Sequence, residues 1–126
     1  MRLLLDTHVL LWAAEGSLGG DVRDAIAERA DVVFVSAATV WEIEIKRALR
    51  RLSAPDDVGT LVDESGFERL AIRFEHAREA GRLPQIHGDP FDRLLIAQAR
   101  LERLTLATAD DVMRRYDVSV LEVSSP

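Results

Sequence analysis

The opening run Met1-Arg2-Leu3-Leu4-Leu5-Asp6 constrains the fold more than any other stretch. A short, continuous apolar run suits a strand buried on both faces, as in parallel sheets covered by helices. In such sheets ligands sit in the crevice beyond the carboxyl ends of the strands. Asp6 stands at that exit, and Thr7-His8 lead into Val9-Leu10-Leu11-Trp12-Ala13-Ala14, an apolar helix. Asp6 could equally serve as the N-cap of this helix, a role Asp fills well. Three further carboxylates in comparable places favour a site.

The rest of the chain alternates strands and helices. Glu15 to Gly20 is a glycine-rich loop, and Asp21 caps a helix to about Ala30. Asp31-Val32-Val33-Phe34-Val35 is a β-branched strand leaving through Ser36, and a long helix runs from Ala37 to about Arg51. A helix starting at Pro55-Asp56-Asp57 ends near Ser65-Gly66. Leu70-Ala71-Ile72 marks a short strand, Glu75 to Ala80 a helix, and Gly81 to Asp89 a loop. Pro90 to about Arg103 is helical, Leu104 to Ala107 a strand, Asp110 to Tyr116 a short helix and Val118 to Leu121 a last strand. This order predicts one α/β domain over residues 1–126, with a mostly parallel sheet between helices.

Composition narrows the chemistry. Cysteine is absent, so disulfides and thiolate metal sites are excluded and any metal must be held by oxygen or imidazole. No apolar stretch is long enough for a membrane span and no signal peptide is visible, which makes the cytoplasm the expected location. Acidic residues outnumber Lys plus Arg by 22 to 16, for a formal charge of −6. That balance ordinarily argues against binding nucleic acid. Acids gathered round a cation lower the net charge while the cation restores local attraction for phosphate, so the question stays open.

Asp6, Glu42, Asp92 and Asp110 all lie near strand exits or helix starts. Right-handed crossovers between parallel strands bring those exits to one edge of the sheet. Converging carboxylates repel one another, and a divalent cation, Mg²⁺ or Mn²⁺, is the natural partner for hard oxygen ligands. Such ions serve phosphodiester hydrolysis. Some assignments stay open on these grounds. Glu42 and Glu44 flank the apolar stripe of Trp41, Ile45, Ala48 and Leu52 on opposite sides, so periodicity selects neither. Asp111 competes with Asp110. In Asp89-Pro90-Phe91-Asp92, Asp89 reads as N-cap and Pro90 as the first helical residue. Asp92 heads the buried stripe Leu95, Ile96, Ala99, where an unpaired carboxylate is costly, and so reads as functional.

The basic cluster Lys46, Arg47, Arg50, Arg51 is either a solvated helix face or an RNA-backbone contact. Arg93 is a candidate to neutralise a phosphate or pair with an acid. His8, His76 and His87 read as surface or packing residues.

Leu4-Leu5-Asp6-Thr7-His8-Val9-Leu10-Leu11-Trp12 and Val35-Ser36-Ala37-Ala38-Thr39-Val40-Trp41-Glu42-Ile43 resemble the opening of a PIN domain. His87 to Ala99, with Asp89-Pro90-Phe91-Asp92-Arg93 at its heart, and Leu106-Ala107-Thr108-Ala109-Asp110 complete the pattern. The resemblance is to VapC-type toxins of toxin–antitoxin pairs and covers essentially the whole chain. It implies an α/β/α sandwich and a Mg²⁺- or Mn²⁺-dependent endoribonuclease. It also implies a homodimer and neutralisation by a VapB-type antitoxin. By motif position it assigns the metal-site acids to Asp6, Glu42, Asp92 and Asp110, selecting Glu42 over Glu44. Ser36 and Thr108 match polar positions near the site, where they would orient metal-bound water, and Thr7 is a further candidate to support the acids or touch substrate. The rival readings are a non-cleaving module of the same fold that holds RNA or a partner, and a nuclease directed at other nucleic acid. Val9 to Trp12 and the Trp41-Ile45 face are the apolar surfaces available to a second copy.

Overall fold

A computed structural model describes residues 1–126. Five strands, β1 (Arg2–Leu5), β2 (Val32–Ser36), β3 (Glu68–Leu70), β4 (Thr105–Thr108) and β5 (Val120–Glu122), form one sheet in the order β3-β2-β1-β4-β5. Every neighbouring pair is parallel. Helices α1 (Thr7–Glu15), α2 (Gly20–Arg29), α3 (Ala37–Ala48), α4 (Val58–Glu64), α5 (Phe74–Arg82) and α6 (Pro90–Glu102) supply the crossovers. The fold is the expected α/β/α sandwich.

The sheet separates two cores by simple alternation. Leu3, Leu5, Val33, Val35 and Ala107 point to one face, where Val9 and Leu10 of α1 and Val58 and Val62 of α4 cover them. Leu4 and Leu106 point to the other, against Leu95, Ile96 and Ala99 of α6. Successive strand side chains face opposite ways, so a central strand here must be apolar at every position. Leu3, Leu4 and Leu5 are at most 1 % exposed, which accounts for the unbroken leucine run.

Strand order also fixes where the site lies. From β1 the chain moves outward through β2 to β3, then returns to the other side of β1 for β4. The connections leaving β1 and β4 therefore diverge and open a crevice at their carboxyl ends, the usual ligand position in open parallel sheets.

Several boundaries differ from the sequence reading. Gly19, not Asp21, is the N-cap of α2, and Asp21 sits in its first turn. The third strand lies at Glu68–Leu70, ahead of the more apolar Leu70-Ala71-Ile72, because β2 pairs with it through Phe34–Glu68 and Val35–Arg69. Helix α3 stops at Ala48, followed by Arg50 in the left-handed region at φ 56°. Between β4 and β5 only the 3-10 turn Met113–Arg115 forms.

The apolar stripe assigned to α3 needs correction. Trp41 is 57 % exposed, and the buried face is Ala38, Thr39, Glu42 and Ile43. Polar Thr39 and Glu42 on the inner face hid that face from a search for apolar periodicity. In α1 the error runs the other way. Val9, Leu10 and Leu11 are core residues and offer no spare surface to a partner.

Candidate metal centre at the carboxyl edge of the sheet

Asp6, Thr7, Glu42, Lys46, His87, Asp89, Asp92 and Asp110 line one cleft of about 430 Å³, with His8 and Trp12 at its margin. Each acid is set by local structure. Asp6 ends β1 and also caps α1: its Oδ1 accepts from the Val9 amide at 2.8 Å. The two readings of Asp6 are thus compatible. Its other oxygen accepts from the Thr108 hydroxyl, which in turn accepts from the Asp110 amide at 3.0 Å. Thr108, the last residue of β4, so ties two acids of the cleft together.

Glu42 projects from the inner face of α3 and is 3 % exposed, whereas Glu44 is exposed and pairs with Arg47. The Thr7 hydroxyl donates to Glu42 Oε1 at 2.6 Å, and Lys46 Nζ donates to Oε2 at 2.5 Å. The Lys46 ammonium is held more firmly protonated by that bond and by the charges of Asp89 and Asp92.

Asp92 occupies the first turn of α6. Asp89 caps the same helix, its Oδ1 accepting from the Phe91 and Asp92 amides at 2.8 and 3.1 Å. The cap orients Asp92 but also faces it with like charge. Burial, and next the charge of Asp89, push Asp92 up to about 7. Burial likewise raises Asp6, against the hydrogen bonds from Thr108 and Val9. Asp110 Oδ1 accepts from the Val112 amide at 2.8 Å, while Asp111 is turned outward to Arg114.

Sequence reasoning missed His87. Its Nε2 stands 2.8 Å from Asp92 Oδ2 and 3.4 Å from Asp110 Oδ2. His87, Asp92 and Asp110 each offer a ligand atom, all within 4.8 Å of one another. The usable signal was position: His87 lies five residues before Asp92 in the motif that carries it. His76, by contrast, is fully buried against Glu102 and Gln98, a packing residue as expected.

Two expected neighbours of the acids lie elsewhere. Arg93 is buried, and its guanidinium donates to the carbonyls of Ala80, Leu83, Pro84 and His87 and to the Tyr116 hydroxyl. It clamps the loop before α6 and pairs with no acid. Five donors in a rigid fork suit that task, since a buried guanidinium must satisfy all of them. Ser36 caps α3 through the Ala38 amide and donates to Gln98 at 2.5 Å, outside the cleft. In the basic cluster only Lys46 reaches the acids; Arg47 bonds the Ala54 and Pro55 carbonyls.

The donors here are carboxylate oxygens and one imidazole, with like charges left unbalanced by the single Lys46 ammonium. That set fits a hard or borderline divalent cation. The fold and cleft define an α/β sandwich with an acidic pocket at its strand exits.

The PIN domain family model matches residues 3–119, and the chain belongs to that family. Solved structures of similar fold include VapBC2 from Rickettsia felis bound to a DNA fragment from their promoter, with a TM-score of 0.73 at 16 % identity. That match covers 98 % of this chain and 100 % of the other. A toxin–antitoxin complex from Klebsiella pneumoniae gives a TM-score of 0.70 at 20 % identity, covering 95 % and 96 %. VapBC-5 from Mycobacterium tuberculosis, of the VapBC family of toxin–antitoxin systems, gives 0.62 at 22 %, covering 99 % and 100 %. No curated protein sequence matches the chain. No helix is long and apolar enough to cross a membrane.

Proposed function

We propose that this chain, as a single PIN domain over residues 1–126, is a divalent-cation-dependent endoribonuclease and the toxin of a VapC-type toxin–antitoxin pair. The observation that carries the reading is the convergence of Asp6, Glu42, Asp92 and Asp110 on one cleft at the ends of β1 and β4. Those acids are the candidate holders of Mg²⁺ or Mn²⁺. When bound, the cation supplies a Lewis acid for a phosphate oxygen and lowers the pKa of water.

The chain's own groups supply positioning. Thr108 and the Val9 amide fix Asp6, and Thr7 and Lys46 fix Glu42. Lys46 adds the one ammonium among the acids, where it attracts the phosphodiester and keeps its proton. The toxin assignment draws on the motif resemblance and on the similar fold of chains in toxin–antitoxin complexes. A VapB-type antitoxin is the partner and the cytoplasm the compartment on this reading. A homodimer is proposed from exposed Trp41 on α3 and the apolar groove beside it, lined by Val35, Val40, Val62 and Leu70.

The test is incubation of the purified protein with RNA and with single-stranded and duplex DNA, in Mg²⁺, in Mn²⁺ and in EDTA. Internal cleavage of RNA alone, stopped by EDTA, is the expected result. Cleavage of DNA in preference to RNA moves the assignment to another nuclease of this fold. RNA binding without cleavage in either metal makes the chain a binding module.

A further inference from the structure

Resting on the proposal that the cleft holds a cation, we propose that His87 is a nitrogen ligand of that cation. Together with Asp92 and Asp110 it makes a mixed nitrogen–oxygen centre that takes Mn²⁺ in preference to Mg²⁺.

Three observations carry this. The first is spacing. Two ligands at right angles on an octahedral ion, with bonds of about 2.1 Å, stand roughly 3 Å apart. His87 Nε2 lies 2.8 Å from Asp92 Oδ2 and 3.4 Å from Asp110 Oδ2, close to that spacing on both sides. All three donor atoms fall within 4.8 Å of one another, so modest side-chain rotation would bring them to a single ion.

The second is rigidity. His87 sits on the loop before α6, yet its backbone is held on both sides of its Cα. Its amide donates to the Tyr116 hydroxyl at 2.7 Å, and its carbonyl accepts from Arg93 at 3.3 Å. Tyr116 is anchored in turn by donating to the Pro84 carbonyl at 2.9 Å. Arg93 and Tyr116 are both buried, so the clamp belongs to the core rather than to a mobile surface. A ligand held this way keeps its place without the ion, which reduces the ordering cost of binding.

The third is chemistry. Asp92 and Asp110 serve any hard cation equally, but imidazole is a borderline donor that suits first-row transition ions and contributes little to Mg²⁺. The nitrogen therefore sets the preference. With Nε2 on the cation the ring proton belongs on Nδ1, which has no hydrogen-bond partner within the chain.

The readout is spectroscopic and independent of cleavage. The whole protein, loaded with one equivalent of Mn²⁺, is examined by electron spin-echo envelope modulation. Nitrogen-14 modulation from a directly bound imidazole is expected in the native protein and absent in His87→Ala. The backbone clamp does not use the imidazole, so the variant should keep its fold, and the native spectrum decides even if it does not. In competition titrations His87→Ala should lower Mn²⁺ affinity at least about tenfold, the loss even an outer-shell partner typically causes, and Mg²⁺ affinity by less. Mn²⁺ bound by the native protein without nitrogen coupling overturns the inference and leaves the cation site standing. Coupling that persists in His87→Ala also overturns it, assigning the nitrogen to His8. If no Mn²⁺ binds, both the inference and the cation reading fail.

Discussion

Replacing Asp92 by Asn should make the metal-free protein more stable, by an amount that is small near pH 4 and grows to its full size above about pH 7. In the unfolded chain Asp92 loses its proton near its ordinary value of 3.8, whereas in the fold burial and the charge of Asp89 hold the proton to about 7. Between those two values the folded state binds more protons than the unfolded, so stability falls as pH rises and the full penalty stands above about 7. A shift of about three units sets a ceiling of roughly 4 kcal/mol. Asn carries no charge and escapes the penalty, but it weakens the contact with His87, worth about 1 kcal/mol. A net gain of about 2–3 kcal/mol remains at pH 8, a rise in melting temperature on the order of 5–10 °C for a chain of this length. At pH 4 native Asp92 is already largely protonated and the gain should be small. Thermal melts of both proteins in EDTA at pH 4 and pH 8 give the answer. Asp6 is raised too, but it is common to both proteins and cancels in the difference. An equal effect at both pH values, or a loss at pH 8, would refute the reasoning.

Asp89→Ala should cost about 0.5–2 kcal/mol through loss of the α6 cap, measured by melting near pH 4. The loss should shrink at pH 8, where removing the Asp89 charge relieves Asp92; a loss that grows with pH contradicts this. Arg93→Ala strands the carbonyls of Ala80, Leu83, Pro84 and His87 and should cost at least about 3 kcal/mol, since it leaves several buried acceptors unpaired. A variant that melts like the native protein would mean the loop is not held by this clamp. Light scattering at micromolar concentration should give a dimer mass, and Trp41→Lys should give a monomer; a monomeric native protein counts against the α3 interface.

Much of this arrangement was legible in the sequence, for identifiable reasons. Leu3-Leu4-Leu5 can be continuous only where both faces are covered, so β1 and its parallel setting followed directly. Asp89-Pro90 announced the start of α6 because the cap and the proline ring act within a few residues. Interactions between distant segments were harder to read. Glu42 could not be chosen over Glu44 by periodicity, because the inner face of α3 holds Thr39 and Glu42, bonded to Thr7 across thirty-two and thirty-five residues. Arg93 looked like a site residue beside Asp92, but adjacent helix positions point in different directions, and its side chain turns into the core. His87 looked incidental because the loop that carries it has no periodicity. Its place depends on Tyr116, twenty-nine residues further on.

The most direct test of the acid cleft as a cation-dependent RNA-cleaving centre is one titration. Cleavage of a defined RNA is followed against free Mn²⁺ for the native protein and for Asp6→Asn, with Mn²⁺ occupancy measured on the same samples. Cleavage should be absent in EDTA, rise in step with occupancy in the native protein, and stay at background in Asp6→Asn at every concentration. Native-rate cleavage by Asp6→Asn, or by either protein in excess EDTA, would contradict the account.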